Sequence, residues 1–230
     1  MRMRRKKNLE SRVEDVSPYL IHADLSCLDA RIADKDKHFA EMVNFDLSIP
    51  LVIELGCGKG KYAIDYATQN PTVNYLAIEK LTNVIIVGAE KAQELELKNL
   101  KFLCTGAEYL ERFLPDNSVD KIIINFPCPF HKETYHEKRL TDIRFLKLYD
   151  KYLKPDGEIA LKTDNQRMFA YSIEQLSLYG FVISEVTLDL HNSKYNEDNI
   201  VTEYEQRYTE QGLPIYRLIA KKTQTVIRHH

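Results

Sequence analysis

The sequence predicts an α/β domain in which parallel strands alternate with helices. From residue 51 onward, short apolar runs alternate with amphipathic stretches, the pattern of parallel strands joined by crossover helices. A chain of 230 residues, 44% of them hydrophobic and 29% charged, is long enough for one large globular domain. A glycine-rich turn after the first apolar run marks the kind of strand-to-helix junction at which such folds bind ligands.

Seven segments have the length and apolar content of strands. In chain order they are LVIELGCG, NYLAIEK, NLKFLCTGA, VDKIIINF, GEIALKTD, FVISEVTLDL and PIYRLIAKK. Helices are expected between them, because apolar residues recur there at helical spacing. These helical segments are KYAIDYATQN, TNVIIVGAEKAQELEL, AEYLERFL, LTDIRFLKLYDKYL and NQRMFAYSIEQLSLYG, with Gly180 placed to end the last one.

The sequence also predicts how the chain is divided. Residues 1–50 are interpreted as a basic arm with a helical extension near KDKHFAEMV, residues 51–223 as the main domain, and residues 224–230 as a tail. The polar connection between the last two strands, HNSKYNEDNIVTEYEQRYTEQGL, is longer than a structural link requires, which indicates binding.

Charge and cysteine usage limit the cellular setting. No basic leader with an apolar run and no membrane-spanning stretch is visible, so a cytoplasmic protein without membrane contact is expected. The four cysteines are scattered, as in proteins with reduced thiols. A net charge of −2 means that a polyanion must be held by local basic patches. Candidate contacts are Arg2, Arg4, Arg5, Lys6, Lys7, Lys132, Lys138, Arg139, Arg144 and Lys147.

The cofactor side is predicted from two motifs. In VIELGCGKGKY, Glu54 ends a strand, and Gly56, Gly58 and Gly60 let the backbone approach a ligand at a helix N-terminus. Glu79 ends the second strand at about the offset at which an acidic side chain accepts hydrogen bonds from ribose hydroxyls. A plain tight turn and a helix-capping role for Glu79 are the structural alternatives.

The pattern around Glu54 resembles that of the class I S-adenosylmethionine-dependent methyltransferases. This resemblance implies a Rossmann-like sheet of seven mostly parallel strands, with helices on both faces and the last strand antiparallel. It also implies that Glu54 lies near the methionine amino group of the cofactor.

Further motifs are similar to those of one family, the bacterial tRNA (guanine-N7)-methyltransferases. They include NFPCPFHK, HEKRLT, LKTDN, LDLHNS, TEYE and PIYR, and the resemblance extends over nearly the whole chain. It implies methyl transfer from S-adenosylmethionine to a guanine in the tRNA variable loop, by a monomer or homodimer.

The resemblance assigns residues by position. On the cofactor side it assigns Glu54, Gly56, Gly58, Gly60, Glu79, Gly106 and Ala107. On the tRNA side it assigns Lys132, Asp164, Thr202, Glu203, Tyr204 and Glu205. The carboxylates of Asp164, Glu203 and Glu205 are able to accept the N1 and N2 hydrogens of guanine, while Asp164 with Asn165 equally suits a helix N-cap.

Three positions depart from the family pattern. The family usually has Asp and Trp where this chain has Cys128 and Phe130. Gly106 replaces an acidic residue beside the adenine, so Glu108 or a neighbouring backbone amide would have to substitute. Because guanine N7 carries a lone pair and no proton, methyl transfer to it requires alignment and no general base, so Cys128 is compatible with activity.

Cys128 leaves other interpretations open. It could be the nucleophile of an RNA cytosine-C5 methyltransferase, a metal ligand together with His131 and His136, or an inert residue in a rigid loop. A catalytically impaired tRNA-binding protein with a methyltransferase fold is a further alternative.

Overall fold

The structure is a computed structural model that describes residues 7–22 and 34–223. The chain consists of two compact units, the first ending at Pro115 and the second beginning at Asp116. Arg2, Arg4, Arg5 and Lys6 of the predicted basic arm lie outside the described residues, as do Cys27 and the predicted tail, residues 224–230. The division into arm, domain and tail stays a prediction.

Four parallel strands form the sheet of the first unit, in the order β1, β4, β3, β2. Every residue of β2 and β3 is buried, so both faces of these strands are covered, as parallel strands require. The strands are β1 (Leu20–His22), β2 (Leu51–Leu55), β3 (Asn74–Ile78) and β4 (Leu100–Cys104), and the helices are α1 (Leu9–Asp15), α2 (Lys35–Val43), α3 (Lys61–Gln69) and α4 (Thr82–Glu94).

The second unit also contains four strands, in the order β5, β6, β8, β7. β5 and β6 are parallel, whereas β8 runs antiparallel to both of its neighbours. The strands are β5 (Val119–Asn125), β6 (Leu153–Thr163), β7 (Val182–Thr187) and β8 (Tyr216–Lys221), and the helices are α5 (Ile143–Tyr152), α6 (Gln166–Tyr179) and α7 (Glu203–Thr209). The expected antiparallel orientation of the last strand is therefore confirmed.

The seven strands expected from the sequence are all present, and within the described ranges β1 is an eighth. β1 has only three residues, too few to show a periodic pattern, and it forms by pairing with the edge of β4. Gly180 ends α6 with a φ of 108°, as expected of a glycine at a helix C-terminus.

One expected helix takes a different form. The segment AEYLERFL folds as a 3-10 helix, Ala107–Arg112, in which Tyr109 N donates to Gly106 O at 3.0 Å. Pro115 disfavours helical backbone at Leu114, so the helix cannot extend to the end of this segment.

Strand register determines where the candidate residues lie. In the first unit Leu55 pairs with Ile78, and Ile78 pairs with Leu103, so the loops after these strands leave from one edge of the sheet. In the second unit Asn125 pairs with Lys162, so the loops after β5 and β6 also leave side by side. The predicted cofactor residues thus share the carboxyl edge of the first unit, and the loop after β5 and Asp164 share that of the second.

Candidate active site

The glycine loop between β2 and α3 has the geometry expected of a ligand-binding turn. Gly56, Gly58 and Gly60 have φ values of 79°, 58° and 79°, a region that favours glycine. A Cβ atom added to Gly56 or Gly58 would meet nothing within 4 Å. The space over these two glycines is therefore open to a ligand that approaches the backbone closely.

Gly60 has a different role from the other two glycines. A Cβ atom there would lie 2.6 Å from the ring of Phe102 and 3.2 Å from Gly88 Cα. Gly60 thus permits the start of α3 to pack tightly against α4 and β4, and it contributes to the loop through packing.

Two carboxylates lie near this loop. Glu54 is 2% exposed and accepts a hydrogen bond from the Tyr75 hydroxyl at 3.1 Å. The pKa of the Cys57 thiol is raised well above its ordinary value, first by burial and then by the negative charges of Glu54 and Glu79. The electrostatic potential at the loop is therefore negative, which suits a positively charged group.

Glu79 is half-buried directly after β3. One of its carboxylate oxygens accepts the N–H of Leu81 at 3.1 Å, just before α4 begins. Glu79 thus binds the residue that precedes α4, through one carboxylate oxygen. The predicted ribose contact stays a prediction.

The segment after β4 has a carboxylate beside Gly106, the position at which the sequence lacks an acidic residue. An ideal Cβ atom on Gly106 would lie 2.5 Å from a carboxylate oxygen of Glu108, so that carboxylate occupies the space of the missing side chain. Thr105, 5% exposed, has a buried hydroxyl oxygen without a hydrogen-bond partner among the described residues. Ala107 is 9% exposed and adds little bulk. An unpaired hydroxyl and a nearby carboxylate fit a polar ligand here.

The reaction loop of the second unit, residues 126–132, follows β5 in a constrained conformation. Phe126 and Phe130 have φ values of 49° and 41°, which cost on the order of 1 to 3 kcal/mol for residues other than glycine. Pro127 is buried between them, and Cys128 and Lys132 are exposed. The Cys128 side chain is therefore exposed, and the strained backbone of the loop has to be stabilised by contacts with neighbouring residues.

Arg139 helps to hold the backbone of this loop. The expectation that Arg139 contacts RNA is therefore wrong. It is 6% exposed, and its guanidinium donates to the carbonyl oxygens of Pro129 and Phe130, each at 3.1 Å. Lys132, Lys138 and Lys147 are exposed, as a contact with phosphate requires. Arg144 is also exposed, and its guanidinium is bonded to the backbone and side chain of Glu137.

A second polar cluster lies behind the loop, around Asp142. Burial alone would raise the pKa of this carboxyl group, but hydrogen bonds from the Tyr171 hydroxyl, the Arg144 backbone and His136 lower it below its ordinary 3.8. The Tyr171 hydroxyl donates at 2.7 Å, and His136 Nδ1 lies 3.0 Å from the same oxygen. Asp142 is therefore a carboxylate at neutral pH and anchors both neighbours.

Asp164 follows β6 and lies near an aromatic cluster. Asn165 provides the N-cap of α6, because its side-chain oxygen accepts the Met168 N–H at 2.8 Å, so the capping role belongs to Asn165.

The aromatic cluster is centred on Tyr204, whose ring lies 5.1 Å from that of Phe126 and 5.0 Å from that of Tyr208. The pKa of Tyr208 is raised, first by its hydrogen bond with Tyr204, then by burial and by the charge of Asp164. Tyr204 is 44% exposed and offers a ring face beside the reaction loop.

Glu205 is held inside the second unit. It is 0% exposed, with one oxygen 2.7 Å from Lys162 Nζ and the other 2.7 Å from Asn199 Nδ2 and 3.1 Å from His191 Nε2. With Thr202 it also forms a capping box at the start of α7. Both oxygens thus have protein partners, whereas the neighbouring Glu203 and Tyr204 are exposed.

Lys162 is a residue that the sequence analysis missed. It is 6% exposed, and its ammonium group also contacts Asn199 Oδ1 at 3.0 Å and Ile200 O at 2.9 Å. Its partner Glu205 lies 43 positions later, so no local pattern could have revealed the pair.

Neither a metal-ligand cluster nor a membrane-spanning helix occurs among the described residues. Across residues 7–22 and 34–223, no three His, Cys, Asp or Glu side chains are grouped so that they could hold a metal ion. Every helix in these two ranges is too short or too polar to traverse a lipid bilayer.

Comparisons with known proteins show which family the sequence is similar to. Residues 48–218 match a family described as a putative methyltransferase. The tRNA (guanine-N(7)-)-methyltransferase of Bacillus cytotoxicus is 37% identical over 222 residues, which cover 96% of this chain and 97% of that protein. A protein of the same name from Lachnoclostridium phytofermentans is 44% identical over 171 residues, covering 74% of this chain and 80% of that protein.

Solved structures show the fold. A SAM-dependent methyltransferase from Aquifex aeolicus is 17% identical, with a TM-score of 0.51, covering 94% of this chain and 99% of that one. An rRNA methylase from Streptococcus thermophilus is 14% identical, with a TM-score of 0.53, covering 85% of this chain and 98% of that one. The Rossmann-like α/β fold expected from the sequence is therefore confirmed.

Proposed function

Because the chain belongs to the tRNA (guanine-N7)-methyltransferase family, we propose that it transfers a methyl group from S-adenosylmethionine to N7 of a guanine in the variable loop of tRNA. The proposal includes the cytoplasmic location expected for a protein that acts on tRNA.

When bound, S-adenosylmethionine supplies a methyl group on a positively charged sulfur. The residues of the first unit that would hold it are Glu54, Glu79, the glycine loop and the segment from Thr105 to Glu108. The charge of Glu54 suits the amino group of the methionine end, and Glu79 is assigned to the ribose hydroxyls. The open space over Gly56 and Gly58 suits close contact between the cofactor and the backbone. Glu108 takes over the polar role for which Gly106 has no side chain.

On the substrate side, guanine N7 already carries its lone pair, so the protein has no proton to remove. Its task is to align the base and to stabilise the positive charge that develops on the ring. Arg139 already engages the carbonyl groups of Pro129 and Phe130. The other carbonyl groups of the loop suit this task, and Cys128 completes the loop surface without acting as a base.

The second unit offers groups for recognition of the guanine. Asp164 and Glu203 are assigned to its N1 and N2 hydrogens, and the exposed ring of Tyr204 to stacking on the base. Lys132 is assigned to a phosphate. Thr202 and Glu205 shape this surface from inside, because the capping box and the buried Lys162 pair engage both residues.

One observation carries the assignment in the second unit. The reaction loop after β5 and Asp164 after β6 emerge from adjacent strands at one carboxyl edge, and the ring of Tyr204 lies 5.1 Å from that of Phe126 in the same loop. Such edges are where open α/β sheets bind ligands.

The test is methylation of unmodified tRNA with isotopically labelled S-adenosylmethionine, followed by mass spectrometry of the nucleosides. We expect labelled 7-methylguanosine. Labelled 5-methylcytidine would contradict the proposal and favour the cytosine-C5 alternative. Binding of tRNA without any labelled product would indicate the catalytically impaired alternative.

Cys128 variants test the mechanism. Cys128→Ala should retain activity, because no covalent step passes through the thiol, and complete inactivity of this variant would favour a nucleophilic cysteine. Cys128→Asp should be at least as active as the native protein, with a gain of up to about 100-fold from electrostatic stabilisation of the developing charge. An inactive native protein beside a fully active Cys128→Asp variant would show that the thiol is not tolerated.

A further inference from the structure

The geometry points to Arg139 as a positioning residue that fixes the backbone of the reaction loop for methyl transfer. This inference rests on the proposed function and deepens it. Arg139 does not face the proposed substrate surface; it acts through the loop whose carbonyl groups it binds.

The contacts of Arg139 are specific to the loop. Its Nε donates to Pro129 O and its Nη2 to Phe130 O, each at 3.1 Å, so one planar guanidinium joins two consecutive carbonyl groups. Its Nη2 also lies 3.3 Å from a carboxylate oxygen of Glu133. A lysine ammonium is a point donor on a flexible stem and does not reproduce this fork.

The backbone that Arg139 binds is the constrained part of the loop. Phe130, whose carbonyl accepts one of the two bonds, has a φ of 41°, and Phe126 at the start of the loop has a φ of 49°. Bulky residues keep such conformations only where their surroundings hold them. Cys128 lies between these two positions, so the orientation of its part of the loop depends on that support.

The guanidinium is itself held by a platform. It lies over the ring of Tyr171 at 4.4 Å, and the Tyr171 hydroxyl donates to Asp142 at 2.7 Å. Asp142 caps α5 by accepting Arg144 N at 3.1 Å, so the platform is tied to two helices. The loop carbonyls are therefore connected to α5 and α6 through Arg139.

This arrangement has a catalytic consequence in this chain. An aspartate at position 128 would add a carboxylate to the loop, and Cys128 does not. The rate therefore depends on alignment of the base by the loop backbone. A misplacement of about 1 Å in such a site can reduce the rate about 100-fold. Loss of the clamp should therefore reduce kcat and leave cofactor affinity unchanged, because the cofactor residues belong to the first unit.

The experiment compares Arg139→Lys with the native full-length protein. We expect kcat for tRNA methylation to fall by about 10- to 100-fold, with unchanged affinity for S-adenosylhomocysteine in calorimetry. The matched control is Arg12→Lys. The Arg12 guanidinium also binds two oxygens, those of the Glu90 carboxylate, but this pair belongs to the first unit, whereas the loop belongs to the second. Its kcat should equal that of the native protein.

Two further measurements separate positioning from folding. Added ethylguanidine should restore part of the kcat of Arg139→Ala, which a misfolded variant would not show. Tyr171→Phe keeps the ring beneath the guanidinium and should be milder than Tyr171→Leu. An unchanged kcat in Arg139→Lys, or an equal loss of kcat and cofactor affinity, would overturn the inference.

Hydrogen exchange keeps this test separate from the proposed function. The peptide spanning residues 126–132 should exchange faster in Arg139→Lys than in the native protein, whatever the catalytic activity. Native protein that makes no 7-methylguanosine would refute the proposed function, and unchanged exchange in that peptide would refute the clamp.

Discussion

Replacement of Glu205 by glutamine should destabilise the second unit substantially. Glu205 is 0% exposed and pairs with Lys162, whose side chain is 8% exposed, at 2.7 Å. In glutamine one oxygen becomes an NH2 group. Whichever way the amide is turned, this group faces a donor, either the Lys162 ammonium or the Asn199 amide.

The magnitude follows from the burial of the pair. Removing one partner of a buried ion pair leaves the other charge uncompensated and costs about 3 to 5 kcal/mol. A domain has a total stability of about 5 to 15 kcal/mol, so the loss is a large fraction of it. If this variant methylates less tRNA, the reason would then be that less of the protein is folded.

The assay is urea denaturation of the native protein, Glu205→Gln, Lys162→Met and the double variant. Each single change should lower the free energy of unfolding, and the double variant should lose less than the sum of the two, because it leaves no unpaired charge. Glu203→Gln is the matched control: Glu203 is exposed two positions away, and its change should stay within about 0.5 kcal/mol. Native-like stability of Glu205→Gln, or strictly additive losses, would refute the reasoning.

Two other predictions concern Asp142 and Tyr75. The folded-state pKa of Asp142 is below its ordinary 3.8, so its contribution to stability is present above about pH 4 and is lost as pH falls through the folded value. Asp142→Asn should therefore flatten the acid limb of a plot of unfolding free energy against pH, and an unchanged acid limb would contradict this. Tyr75→Phe removes a hydrogen bond to the buried Glu54 carboxylate, so it should cost about 1 to 3 kcal/mol and weaken S-adenosylhomocysteine binding by calorimetry. Native stability together with native affinity would show that the bond contributes neither.

Local patterns predicted the elements of the fold well. The seven expected strands are present, most of them because an apolar run of that length and composition suits a covered strand. β7 is different: none of its residues is buried, and its sequence VISEVT alternates apolar and polar residues. Gly180 ended a helix as expected, because a residue with positive φ is needed there and glycine adopts it at little cost. β1 was missed because a three-residue strand depends on its partner β4 and has no pattern of its own.

The candidate site was only partly accessible to sequence analysis. The glycine loop, Glu54 and Glu79 were predicted from their spacing, which follows from one strand-to-helix junction and the next strand, and their role in cofactor binding stays a prediction. Arg139 was misread as an RNA contact because it stands in the charged segment HEKR. Its burial depends on Tyr171, a residue of a later helix that no neighbouring position reveals.

By itself the sequence determined the strand and helix order, the glycine loop and the kind of chemistry, since these depend on short-range spacing and on side-chain type. The tertiary structure alone decided which charged side chains are exposed to a ligand and which are engaged inside the protein. It buried Glu205 against Lys162 and Arg139 against the loop carbonyls, and it left Lys132, Glu203 and Tyr204 exposed. The physical reason is that the state of a charged side chain depends on partners brought close by folding, and these partners lie many positions away along the chain.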